Sequence, residues 1–278
     1  MTTLKLSQMA TLVLSEKDGR KKTALSSEYA RIWFDNRSKG TTIEIGLSNP
    51  PLNPARPNKP ELVRAGEVPR RRPNTLNGQI AILHSIAHIE LNAVDLHWDI
   101  IARFAEIQMP VGFYDDWVKS AQEESKHFNL ICDCLEELGS YYGDLMAHDG
   151  LWQAAIDTRN DLLGRLAVVP MVLEARGLDV TPNMIQLFEK AKLKNAVKAL
   201  QTIYVEEVSH VAYGSKWFNF LCGRNNLDPR IEFHRLVTKY FNGFLKPPFN
   251  EEKRAAAGLP PDFYWPLADK MNINTSNK

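Results

Sequence analysis

Within the stretch Tyr204-Val-Glu-Glu-Val-Ser-His-Val-Ala-Tyr213, a carboxylate, Glu207, and an imidazole, His210, stand three residues apart. On an α-helix that spacing puts both side chains on one face, one turn from each other, where they can share a metal ion. The stretch Gln122-Glu-Glu-Ser-Lys-His127 repeats the arrangement with Glu124 and His127. Each pair is preceded by a further glutamate about one helix earlier. Glu90 lies 124 − 90 = 34 residues before Glu124, and Glu174 lies 207 − 174 = 33 residues before Glu207. One Glu from each of two helices, with Glu-x-x-His from each of the other two, is the ligand pattern of four-helix di-metal carboxylate bundles. The doubled pattern therefore predicts an all-α fold built on a four-helix bundle, with Glu90, Glu124, His127, Glu174, Glu207 and His210 as metal ligands. Glu123 competes with Glu124, since it stands four residues before His127; the three-residue spacing of the second pair favours Glu124.

The surrounding sequence has the apolar periodicity such a bundle needs. A first long helix is expected from Gln79 to Ile107, capped by Thr75 or Asn77 and rich in Ile and Leu. Its polar residues call for an explanation. Glu90 is the expected ligand, His84 and His88 are expected as polar core groups around the ligands, and His97 as a partner one layer from the metals. The second helix is expected to begin near Phe113, with Asp115 or Asp116 close to its start, and to end at about Leu138-Gly139. The third runs from Leu151 to Arg176, with Pro170 freeing a carbonyl and kinking it one turn before Glu174, and Gly177 ending it. Thr181-Pro-Asn183 then opens a short helix to Ala191. The fourth long helix covers Lys194 to Cys222, with Tyr204 and Tyr213 flanking the Glu207/His210 pair at three residues on either side. A fifth helix is expected from Pro229 to about Leu245.

Around this bundle, residues 76–246, the ends read differently. Residues 1–75 form an extension in which Ser27–Phe34 suggests a short helix, Thr41–Ile45 an extended segment or strand, and residues 49–75 a proline-rich strap. The run Arg70-Arg71-Arg72 is expected as a solvated surface, with anion binding the sharper reading. Residues 247–278 form an aromatic, proline-rich tail expected to wrap the bundle or a partner subunit, its last residues fraying.

Composition removes several classes of function. Lys+Arg 34 against Asp+Glu 33 gives a net charge of +1, which argues against a nucleic-acid partner. Three cysteines, Cys132, Cys134 and Cys222, at irregular spacing argue for a reducing compartment, and the cytoplasm is expected. No apolar run is long enough for a membrane span. Carboxylates and imidazoles without thiolates suit two iron ions, or manganese, or one of each. Molecular oxygen and a small organic substrate are the expected partners, and a homodimer is an allowed assembly.

The motifs Pro54-Ala-Arg-Pro57, Pro60-Glu-Leu-Val63, Val68-Pro-Arg-Arg-Arg72, His84-Ser-Ile-Ala-His-Ile-Glu-Leu91, Glu124-Ser-Lys-His127, Glu174-Ala-Arg-Gly177 and Glu206-Glu-Val-Ser-His210 together resemble the bacterial DUF455 family of ferritin-like proteins, over about residues 50–266. The resemblance implies a ferritin-like bundle with a di-iron-type site and an activity that is largely undefined. It also implies a distant similarity to ferritin-like tRNA hydroxylases and other di-iron oxygenases. Three functions follow as expectations: a di-metal oxidoreductase or oxygenase; a non-enzymatic metal-binding or iron-handling protein; and a tRNA-modifying hydroxylase with Arg70–Arg72 on a basic face.

Overall fold

The computed structural model describes residues 4–69, 71–241 and 244–268. The fold is all-α, and regular strand among the described residues is confined to one two-stranded parallel ladder, β1 (Leu62–Val63) with β2 (Ala147–His148). No described helix is long and apolar enough to cross a membrane. The chain forms two compact units, residues 1–153 with 187–199, and residues 154–186 with 200–278.

The first unit is built on α3 (Leu76–Arg103) and α4 (Val111–Glu137), which pack extensively on each other. Thr75 caps α3, its hydroxyl accepting from Gly78 N–H. The buried stripe of α3 runs Leu83, Ala87, Glu90, Val94, His97, Ile101, and that of α4 runs Trp117, Ala121, Glu124, Phe128, Ile131, Leu135. Both advance by alternating steps of four and three, the spacing of a helix face turned to a core. Each stripe thus carries a glutamate where an apolar residue belongs.

Residues 4–69 are part of this unit. Helix α1 (Leu6–Ser15) packs on α3, and α2 (Gly19–Ser38) on α4. The second is much longer than the Ser27–Phe34 helix expected from sequence, because its core face is made partly of Lys22, Thr23 and Ser26 and hides from an apolar count. Lys22 is buried and donates to Ala55 O at 2.9 Å and to the Asp95 carboxylate of α3. Ser26 links Trp98 Nε1 of α3 and Ser125 Oγ of α4, each at 2.8 Å. Segment 41–45 is extended and unassigned as strand; its Glu44 and Ile45 carbonyls accept from Leu6 and Ser7 N–H, which α1 leaves unsatisfied. The proline-rich strap is held by Arg56, which reaches Asp149 and Asn92, and by the β1–β2 ladder. Arg70 lies outside the described residues, and Arg71 and Arg72 are exposed.

The second unit holds α6 (Leu162–Val168), a widened π turn over Val169–Glu174, the Ala175–Gln186 part of α7 (Ala175–Lys190), residues 200–224 of α8 (Lys194–Arg224), α9 (Pro229–Tyr240) and two short tail helices, α10 (Glu251–Ala256) and α11 (Pro261–Tyr264). The third predicted helix is interrupted: α5 (Gly150–Asp157) ends before Asp161, which caps α6 through Gly164 N–H. Gly177 does not end the helix, and α7 runs on through Pro182. A proline there strips the Leu178 carbonyl of its i+4 donor. Asn250 Nδ2 from the tail supplies the missing donor at 3.1 Å, so the helix continues. Helix α9 stops at Tyr240, short of the expected Leu245. The described tail is anchored by Arg254, whose guanidinium grips both Asp179 oxygens at 2.9 and 2.7 Å and lies against Phe249 and Tyr264; residues 269–278 lie outside the described residues.

The Lys22–Asp95 pair is the most exacting contact of the N-terminal helices. Breaking a buried ion pair on one side leaves an uncompensated charge. Lys22→Met is expected to lower the unfolding free energy by about 3–5 kcal/mol in urea denaturation, and Lys22→Met/Asp95→Leu to recover most of that loss.

Candidate metal centre

Helix α3 supplies Glu90 and helix α4 supplies Glu124 and His127, each from a core-facing position. All three are buried, with Glu124 and His127 fully so. His127 Nδ1 lies 3.3 Å from Glu90 Oε2 and 3.4 Å from Glu124 Oε2, and one ligand atom from each of the three residues falls within 4.8 Å of the others. Burial, and then the neighbouring Glu124 carboxylate, push Glu90 well above the usual carboxylate range, while His127 draws it back. Two carboxylates turned toward one imidazole inside an apolar stripe are costly for a bare protein and suited to a divalent cation. The donor set and its burial therefore fit a metal ion. Glu123, the competing ligand, instead pairs with Lys119 at 3.0 Å, one helical face away.

In the second unit, Glu207 and His210 are both buried on the stripe Ile203, Glu207, His210, Gly214, Trp217, Leu221 of α8. His210 Nδ1 lies 3.6 Å from Glu207 Oε1, so both histidines present Nδ1 to the carboxylate three residues before them. Glu174 is half-buried at the C-terminal end of the π turn, where Ala175 N–H donates to Pro170 O, five residues back. Pro170 thus widens the helix by one residue where a kink is expected from sequence.

The remaining residues singled out from sequence take different places. His97 is buried beside Trp117, ring centroids 5.3 Å apart. Tyr204 accepts a hydrogen bond at 2.7 Å from Asn250 of the tail, and Tyr213 is half-buried on α8. His84 and His88 belong to a separate seam of α3. His84 Nε2 accepts from Gly143 N–H at 2.9 Å, and His88 lies between Tyr142 OH, at 2.9 Å, and the His148 carbonyl. Burial lowers both imidazoles to about 4. The sequence reading missed Tyr142, which stacks on both rings, and the Lys22–Asp95 pair. The only available signal was Asp95 in the His84–His88–Leu91 row, a second polar stripe on an otherwise apolar helix. Cys132, Cys134 and Cys222 are buried free thiols.

These observations define an all-α protein carrying two buried Glu-x-x-His pairs, one of them closed by a third buried carboxylate. The family model described as "Protein of unknown function (DUF455)" matches residues 15–265, and the chain belongs to that family. A curated relative from Haemophilus influenzae, described as an uncharacterized protein, is 41% identical over 208 residues, covering 73% of this chain and 72% of the relative. No solved structure matches.

The burial of His84 and His88 fixes the sign of one pH dependence of stability. A histidine whose folded pKa falls from 6.5 to about 4 stays neutral while the unfolded chain takes up a proton. Its contribution is complete above pH 6.5 and is lost as pH falls toward 4. Asp95, raised by burial to about 6, opposes this in part of the window. Comparison with His84→Gln, which keeps an acceptor for Gly143, isolates one histidine. Between pH 6.5 and 4 the unfolding free energy of the variant is expected to fall less steeply than that of the wild type, by up to about 1.4 kcal/mol per pH unit, in urea titrations across that range.

Proposed function

We propose that this chain is a di-metal oxidoreductase of ferritin-like architecture, with iron, manganese or one of each as cofactor, acting with molecular oxygen on a small organic substrate. The observation that carries this reading is the convergence of Glu90, Glu124 and His127 in the buried stripes of α3 and α4. The repeat of the same residue types at Glu174, Glu207 and His210 extends it to a second metal. In this reading Glu124 with His127 would hold one ion and Glu207 with His210 the other, with Glu90 and Glu174 completing the donor set.

Four carboxylates neutralise two divalent ions, and imidazole and carboxylate donors without thiolate favour iron or manganese over a structural zinc. When bound, such a metal pair supplies redox chemistry with oxygen as the oxidant. The chain's own part is to fix the donors and exclude water. The helix spacing aims each Nδ1 and carboxylate together, and the apolar residues of the stripes keep bulk solvent from the ligands. Both histidines must be neutral to ligate, so metal uptake releases protons and weakens in acid.

Elemental analysis of protein purified without an affinity tag is expected to find about two equivalents of iron or manganese per chain, lost in His127→Ala/His210→Ala. Oxygen uptake by the ferrous-loaded protein that stops after a single turnover supports an oxygenase awaiting its substrate. Stoichiometric iron without oxygen uptake supports the non-enzymatic iron-handling alternative. Absence of metal after anaerobic loading with ferrous iron contradicts both.

A further inference from the structure

The π turn at Val169–Glu174 sits where the chain must present Glu174, and its cause is visible in two residues. Pro170 has no N–H to give, and its ring crowds the carbonyl four residues back. On its C-terminal side the backbone closes a wider ring, Ala175 N–H to Pro170 O. A π turn accommodates one extra residue, and an α-helix rotates by about 100° per residue. From the C-terminal end of the turn onward, each residue therefore faces where its predecessor would in an unbroken helix. With the turn in place, position 174 takes the direction that position 173, a leucine, would otherwise hold.

The second residue is Gly214. It lies on the buried stripe of α8 that carries Glu207 and His210, one turn beyond His210. A Cβ added there would stand 2.5 Å from both Cβ and Cγ of Pro170, and 3.5 Å from Met171 Cγ. A proline ring cannot rotate out of the way, so no side chain larger than hydrogen fits at 214 while Pro170 is seated. The contact is one helical turn from Glu174 on one side and one turn from His210 on the other. Beyond the turn, Arg254 reaches the Ala175 carbonyl at 3.3 Å while gripping Asp179, and Asn250 ties Leu178 O to Tyr204 OH. The widened turn is thus pinned at its start by a ring in a notch and beyond its end by the tail.

We propose that Pro170 and Gly214 are positioning residues: the ring seated in the glycine notch holds the π turn and so selects Glu174, in place of Leu173, as the carboxylate offered to the Glu207/His210 half of the metal centre. The inference rests on the di-metal reading and names what sets the register of its second half.

Anaerobic titration with ferrous iron, read by bound metal at equilibrium, tests it, with circular dichroism as the measure of folding. Gly214→Ala and Pro170→Ala are each expected to weaken the second equivalent at least tenfold while the equivalent bound by Glu124 and His127 is retained. Deleting Val172 in the Pro170→Ala chain removes the extra residue, so an unbroken α-helix again brings Glu174 to its original face. That double variant is expected to regain the second equivalent, which a merely structural loss of packing would not restore. Wild-type affinity for both equivalents in Gly214→Ala and Pro170→Ala overturns the proposal, and so does a folded double variant that fails to recover the second. If Pro170→Ala does not fold, the Gly214→Ala titration decides alone. A wild-type chain that binds no second equivalent contradicts the di-metal reading itself, which separates the two failures.

Discussion

The controlling constraint in this chain is the placement of carboxylates in helix faces that are otherwise apolar. Ionised carboxylates resist such positions, because removing each charge from water costs several kcal/mol even after the protein relaxes. Glu90 and Glu124 nevertheless occupy core steps of α3 and α4, against the imidazole of His127. An arrangement so unfavourable to the bare chain becomes favourable once a divalent cation neutralises it. The helix spacing, the burial and the choice of donor atoms all suit such a cation.

Much of the remaining polar structure ties the helices together within each unit. In the first unit, Lys22 and Ser26 of α2 reach Asp95, Trp98 and Ser125, so a helix that looks polar in sequence is bonded to both ligand-bearing helices. In the second, the tail repairs the backbone of α7 at Pro182 and grips Asp179 through Arg254. Both sets are long-range bonds made by polar side chains, among them Lys22, Ser26, Asn250 and Arg254.

This explains which parts of the fold were legible in the sequence. Helices α3, α4 and α8 declare themselves because their apolar steps are regular, and their glutamates and histidines stand out on those steps. Thr75 marks the start of α3 by local capping chemistry, and Pro170 marks a disturbance before Glu174. Local signals fail where a distant residue supplies the missing bond. Gly177 reads as a helix end and Thr181-Pro-Asn183 as a fresh start, yet Asn250, some seventy residues on, satisfies the carbonyl that Pro182 frees, and one helix runs through both. Helix α2 was underestimated because its inward face is Lys22, Thr23 and Ser26, whose burial depends on partners in α3 and α4. A kink and a π turn look alike in sequence; the Ala175 N–H to Pro170 O bond distinguishes them in the structure.

The central claim, that both Glu-x-x-His pairs serve one dinuclear centre, is tested most directly by X-ray absorption spectroscopy at the iron edge of anaerobically loaded protein. The account requires oxygen and nitrogen donors alone, with about one imidazole per metal, and a second metal scattering at roughly 3.5–4 Å. Sulfur in the coordination shell, or fully loaded iron with no metal neighbour at that range, would contradict it.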